Sequence, residues 1–184
     1  MSKTVLVPLS NGTEDMEAVI SIDVLRRADY LLTVATTMNF VTFARGVKIR
    51  NEILIDSLDD DYLYDAIVLP GGVNGVNYLQ NEEKLLKIIR NHYENNKLIA
   101  AVCAAPLILK ASGILEPNMK ITSHPSVKEQ LFDYDYQEST VVVHNNILTS
   151  RGAGTTFDFA FAIIDYFGDN EIGKNVAESI LWKR

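Results

Sequence analysis

One cysteine, three histidines and no long apolar run narrow the field before any motif is read. A lone thiol, Cys103, cannot close an intrachain disulfide, so a packed core must hold the chain together, in keeping with a reducing compartment. The longest nearly apolar stretch, residues 98–109, falls short of the ~18 to 20 residues that cross a bilayer as a helix. The opening residues carry one early lysine, a short apolar stretch and then Asn11-Gly12-Thr13-Glu14-Asp15, too short and too acidic for a secretory signal. A cytoplasmic protein is expected. Basic residues are in deficit, 17 Lys and Arg against 24 Asp and Glu, for a formal charge of −7. With no basic cluster to offset that charge, nucleic acid and anionic membrane are poor partners. His92, His124 and His144 stand far apart, without His-x-x-x-His or Cys-x-x-Cys spacing, so no metal is expected. The glycines form neither G-x-G-x-x-G after the first strand nor a P-loop ending in Gly-Lys-Ser/Thr, and no cofactor is expected.

What the chain does have is 47% apolar and 22% charged residues in 184, enough for one core and one domain, residues 1–184. Short β-rich runs alternate with helical patterns. A strand at 4–9 precedes a helix at about 14–28; a strand follows at 31–35, then a hairpin of 40–43 with 47–53 around Arg45-Gly46. A buried strand at 66–69 runs into Pro70-Gly71-Gly72, and a helix from about 81 to 95 follows. The most apolar strand, 98–102, leads to a helix at 106–112 that stops at Gly113. Segments at 121–122, 126–131 (helical), 141–143 and 147–149 and two final helices complete the order. Strands buried on both faces and separated by helices imply a mostly parallel sheet between helical layers. Asp59-Asp60-Asp61 reads as a solvated acidic turn.

Ligands in open α/β sheets sit at the carboxyl ends of strands, and three candidates fall there. Cys103 lies between a strand and a helix that starts near Pro106, an elbow where helix N–H groups and dipole favour the thiolate and lower its pKa. The alternative is a small buried hydrophobe. Glu17 shares a helical face with Ile20, Ser21, Val24 and Ala28; burial there would raise its pKa and suit it to proton transfer, unless it snorkels to solvent. The N–H groups behind Gly71 and Gly72 could form half of an oxyanion hole, or the pair could simply make a tight turn. His124, in Ser123-His124-Pro125, stands where a site residue could be; taken alone it reads as structural.

Taken together, these segments resemble the DJ-1/ThiJ/PfpI superfamily over nearly the whole chain, most closely its parkinsonism-associated deglycase branch. The resemblance rests on Gly12-Thr13-Glu14-Asp15-Met16-Glu17, Leu69-Pro70-Gly71-Gly72, 100–106 around Cys103, Thr122-Ser123-His124-Pro125 and 149–155. It implies a flavodoxin-like three-layer α/β/α sandwich with a nucleophile elbow. By the same resemblance Cys103 is the reactive cysteine, Glu17 the carboxyl that hydrogen-bonds it, Gly72 and Ala104 the N–H donors, and His124 a pocket residue. Arg45 and Arg27 match basic residues near the site, the latter from a dimer partner.

Ala104 stands where the intracellular protease-like branch has histidine, which weakens a peptidase reading. No His-x-Glu follows late in the chain, so an amidotransferase triad cannot be assembled. The resemblance then implies a glutathione-independent glyoxalase or deglycase acting on a small aldehyde such as methylglyoxal, or on early glycation adducts. The alternative is a redox sensor or chaperone whose Cys103 is oxidised to the sulfinate. A homodimer is expected on physical grounds as well, because Met16, Val19, Ile20, Ile22, Val24 and Leu25 spread apolar groups over more of the first helix than one sheet face can cover.

Overall fold

Uninterrupted aliphatic runs become the central strands. In the computed structural model, which describes residues 2–183, β1 (Thr4–Leu9), β6 (Ala66–Leu69) and β7 (Leu98–Val102) are buried almost throughout. They lie at the middle of a seven-stranded sheet completed by β2 (Leu31–Thr36), β5 (Ile53–Leu54), β10 (Val141–His144) and β11 (Ile147–Ser150). The spatial order is β10-β11-β7-β6-β1-β2-β5. All neighbours are parallel except the β10/β11 hairpin at one edge, so the sheet is mostly parallel, as expected. Two further two-stranded ribbons, β3 (Phe40–Thr42) with β4 (Lys48–Arg50) and β8 (Lys120–Ile121) with β9 (Asp135–Tyr136), stand outside it.

Side chains alternate across this sheet because a strand has a period of two. Val5, Val7 and Leu9 of β1 face a core shared with α1 (Asp15–Arg27), α5 (Thr156–Tyr166) and α6 (Asn170–Ser179). Leu6, Ile67, Leu69 and Ile99 face the opposite core, filled by α2 (Val73–Leu79), α3 (Glu83–Glu94) and α4 (Pro106–Ser112). Helix, sheet and helix thus make three layers. Strand order reverses between β1 and β6, where one connection turns to each side, so a crevice opens at their carboxyl ends. Among the described residues, no helix is long and apolar enough to cross a membrane.

The helix punctuation works as the sequence implies. Pro106 opens α4, and Gly113 closes it in the left-handed region at φ 76°. Three local readings need correction. The strand expected over 47–53 is split: Lys48–Arg50 pairs with β3, and after Asn51-Glu52 the chain joins the main sheet as β5. Val73–Leu79 is a helix that periodicity did not reveal, because Asn74, Gly75 and Asn77 are poor helix formers. The helix at 126–131 is a 3-10 helix over Pro125–Leu131, capped by the His124 side chain.

Candidate functional site

Cys103 leaves β7 with φ 64°, a left-handed conformation that costs a non-glycine residue free energy and persists only when its surroundings enforce it. Two backbone bonds do so. The Cys103 N–H donates to Ser150 O at 3.1 Å, and its carbonyl accepts the His124 N–H at 2.9 Å. The turn aims the sulfur at the crevice, where the N–H groups of Gly72 and Ala104 hydrogen-bond to it. The expected elbow is therefore present, with two donors beside the thiol.

Glu17 comes from the first turn of α1 and is completely buried. Its Oε2 accepts the Gly71 N–H at 2.7 Å, and its carboxyl hydrogen-bonds the Cys103 side chain. Desolvation raises its pKa from 4.5 to about 7, against the Gly71 hydrogen bond, which favours the charged form. Snorkelling is thereby excluded for Glu17. Gly71 has a different part from the one expected: its N–H is committed to Glu17, and it does not line the cleft. A side chain at 71 would strike Cys103 Cβ and Glu17 Oε2, so the glycine permits the thiol and the carboxyl to meet.

The direction expected for the Cys103 pKa also needs correction. Burial, and then the nearby Glu17 charge, push the thiol up to about 12, against the lowering from Gly72 and Ala104. The short α4 dipole does not overcome burial and the Glu17 charge. While Glu17 is ionised, the thiol keeps its proton. When the proton sits on Glu17, the repulsion vanishes and the neutral carboxyl can donate to the sulfur. The pair is thus built to hold one negative charge and to pass one proton between oxygen and sulfur.

A cleft of about 450 Å³ opens onto this pair. Gly72, Arg45 and His124 line it, together with Glu14, Asn74 and Ser126, which the sequence did not single out. Glu14 is there because its carboxylate caps α1, accepting the Glu17 N–H at 2.8 Å. His124 Nδ1 lies 3.2 Å from the Ser126 N–H and accepts from it, which leaves the ring proton of a neutral imidazole on Nε2. Arg27 is not brought here. It sits in the last turn of α1, about 15 Å along the helix from Glu17, and its Nε pairs with Asp23 at 2.7 Å. Within one chain the role implied for Arg27 is therefore not met.

The comparisons with known proteins agree with this architecture. Residues 3–166 match the DJ-1/PfpI family. Protein DJ-1alpha of Drosophila melanogaster is 42% identical over 98% of this chain and 85% of its own length. Protein DJ-1 homolog B of Arabidopsis thaliana is 38% identical over 96% of this chain, which spans only 41% of that longer protein. The glutathione-independent glyoxalase DJR-1.2 of Caenorhabditis elegans is 29% identical over 89% of this chain and 87% of its own. Among solved structures, Drosophila melanogaster DJ-1beta superposes with a TM-score of 0.93 at 37% identity, covering both chains fully. Oxidised Toxoplasma gondii DJ-1 does so with a TM-score of 0.94 at 32% identity, also over both full chains. With a family match over most of its length, and relatives of this identity across nearly all of it, the chain belongs to the DJ-1/PfpI family.

Proposed function

We propose that the chain is a cysteine-dependent enzyme that acts on small reactive aldehydes without glutathione, as a glyoxalase or a remover of early glycation adducts. The observation that carries this reading is the contact between Cys103 and Glu17, a nucleophile paired with a carboxyl whose pKa lies near 7. The glyoxalase name of the Caenorhabditis elegans relative supports it. The sulfur of Cys103 adds to the aldehyde carbon of methylglyoxal, the C=O electron pair moves to oxygen, and that oxygen takes the proton held by Glu17. The N–H groups of Gly72 and Ala104, which bond the sulfur at rest, stabilise the negative charge as it moves to oxygen. Glu17, now a carboxylate, removes the proton from the former aldehyde carbon, whose bonding pair forms the C=C of an enediolate, and returns it to the neighbouring carbon, while the hydroxyl proton passes from the first oxygen to the second. The two carbons exchange oxidation levels, leaving a lactoyl thioester. Water releases lactate and restores the thiol.

The test is lactate formation from methylglyoxal in the absence of glutathione, with Cys103→Ala as the blank. Lactate from the wild type alone is expected. Equal lactate from both would remove Cys103 from the chemistry and end this reading. A wild type that makes none, yet gains two oxygens at Cys103 under mild peroxide, would transfer the site to redox sensing. In that reading two equivalents of peroxide oxidise the thiolate through the sulfenate to the sulfinate, and the same N–H groups hold the new oxygens. The oxidised Toxoplasma gondii relative supports that second reading.

We also propose a homodimer. On α1, Met16 and Val19 are about half exposed, and across a groove of about 340 Å³ Val19 and Ile22 face Ile49 of the β3–β4 ribbon. Exposed apolar side chains in a groove that Asp23, Arg26, Arg50 and Glu52 also line fit a second copy of the same surface. A second copy is also what the role implied for Arg27 requires. Light scattering after gel filtration is expected to give twice the chain mass, and Val19→Asp to give a monomer. A wild-type monomer at micromolar concentration would overturn this.

A further inference from the structure

Residues 44–47, in the turn between β3 and β4, are all exposed, yet the turn is tied to the wall of the cleft by buried partners. Asp15, the first residue of α1, is only 7% exposed. Its Oδ2 accepts the Arg45 N–H at 2.7 Å and its Oδ1 the Val47 N–H at 3.0 Å. The Ala44 N–H adds a bond to Thr13 O at 2.8 Å, and Thr42 is bonded through both backbone groups to Asn11 and Gly12. Both carboxylate oxygens of a nearly buried acid are thus spent on backbone thirty residues away, far more than a helix cap needs. What this fixes in place is the backbone of Arg45, a residue that lines the cleft. Of the residues lining the cleft it is the only lysine or arginine, and among the described residues its guanidinium forms no ion pair.

We propose that Asp15 is a positioning residue: by clamping the turn it holds Arg45 over the cleft and so gives the site a preference for aldehydes that carry a carboxylate beside the reacting carbon. The inference rests on the aldehyde-addition reading above and adds the substrate class. Arg45 has long side-chain torsions to order, and anchoring its backbone at two points removes part of that cost when a carboxylate binds. A guanidinium then meets the carboxylate with charge-assisted hydrogen bonds, which a neutral aldehyde cannot make. Without the clamp, the N–H groups of Arg45 and Val47 turn to water and the guanidinium is no longer held near the cleft.

Glyoxylate and its neutral methyl ester are the probes. Each can add to Cys103, the sulfur bonding to the aldehyde carbon while the oxygen takes a proton. Neither can isomerise to product, because the neighbouring carbon is already at the carboxyl level. Binding is read as protection of Cys103 from iodoacetamide, followed by intact mass, so no turnover is needed. The wild type is expected to favour glyoxylate, and Asp15→Asn to reduce the glyoxylate-to-ester affinity ratio by about tenfold. Arg45→Gln should reduce it at least as much, and the double variant no further than Arg45→Gln alone, because Asp15 acts through Arg45. Asp15→Glu, which keeps both acceptor oxygens, should retain most of the preference. Val47→Pro deletes one clamped N–H at an exposed position and should move the ratio the same way as Asp15→Asn, which keeps the test decisive if Asp15→Asn does not fold. Equal losses for both probes, or additive effects of Asp15→Asn and Arg45→Gln, would overturn the proposal. Protection by the ester alone would overturn it while sparing the aldehyde reading, and protection by neither would overturn both.

Discussion

Exchanging Glu17 for glutamine is expected to abolish most turnover while making the protein more stable at pH 8. The two effects have one cause. Glutamine keeps the shape of the side chain and an oxygen that can accept the Gly71 N–H, so the turn that carries the site is retained. It cannot move a proton. Loss of a general acid/base group costs about 10² to 10⁴ in rate, and here the same carboxyl serves both the addition and the isomerisation. The wild-type pH–rate profile should also show a limb near pH 7 that any residual activity of the variant lacks.

The stability half follows from linkage. Folded Glu17 titrates at about 7, whereas the unfolded group titrates near 4.5, so the folded state holds this proton more tightly. The stability this contributes is fully present below pH 4.5 and is lost as pH rises through 7. By pH 8 the ionised, buried carboxylate costs about 3 kcal/mol, the free-energy equivalent of that shift. Glutamine carries no such cost. Thermal unfolding of the two proteins should coincide near pH 4 and diverge as pH rises, with the variant higher. His92 does not obscure the comparison, although burial lowers its pKa and makes it favour folding above its unfolded pKa. It is present in both proteins and cancels in the difference. A wild type as stable as Glu17→Gln at pH 8 would mean that the carboxyl is not desolvated as the structure has it.

The sequence foretold most of the frame because the frame depends on local patterns. The apolar runs of β1, β6 and β7 fit only strands covered on both faces, and Pro106 and Gly113 bracket α4 through backbone geometry that each residue favours by itself. The position of Cys103 was equally legible, as a strand end followed by a helix start. Its proton affinity was not, since burial and the approach of Glu17 across 86 positions of sequence exist only after folding. The same holds for Gly71, whose N–H could be counted in advance but not assigned between oxyanion and carboxylate. The bonds that the Asp15 carboxylate accepts from the β3–β4 turn were not legible either, since its partners lie thirty and thirty-two positions on. Local logic also failed at α2, where weak helix formers are held helical by packing: Val76 and Leu79 lie in the core, and Gly75 leaves no room for a side chain beside Thr13.

Gly72→Ala is expected to be the most destabilising single substitution near the site, at about 4 kcal/mol or more, and to remove activity with it. Two costs combine. Gly72 has φ 87° and ψ 110°, outside even the left-handed helical region, where a non-glycine residue costs about 1 to 3 kcal/mol. In addition, a Cβ there would lie 2.5 Å from Glu14 N and 2.9 Å from Thr13 C. These are backbone atoms of the turn that enters α1, so no side chain can rotate to make room. Relief requires moving that turn, which carries the Glu14 cap and, one helical turn on, Glu17 itself. Gly113→Ala separates the two contributions. Gly113 has φ 76°, but an added Cβ would meet nothing within 4 Å, so only the backbone term remains. Denaturant unfolding should therefore give a loss of about 1 kcal/mol at Gly113 with activity retained. At Gly72 the melting temperature should fall by about 10 °C or more, given about 2 to 4 °C per kcal/mol for a chain of this size. Equal losses at the two glycines would mean that the turns at Gly72 and Glu14 can part cheaply. The close approach that brings the Gly72 N–H to the Cys103 sulfur would then not be enforced by the fold.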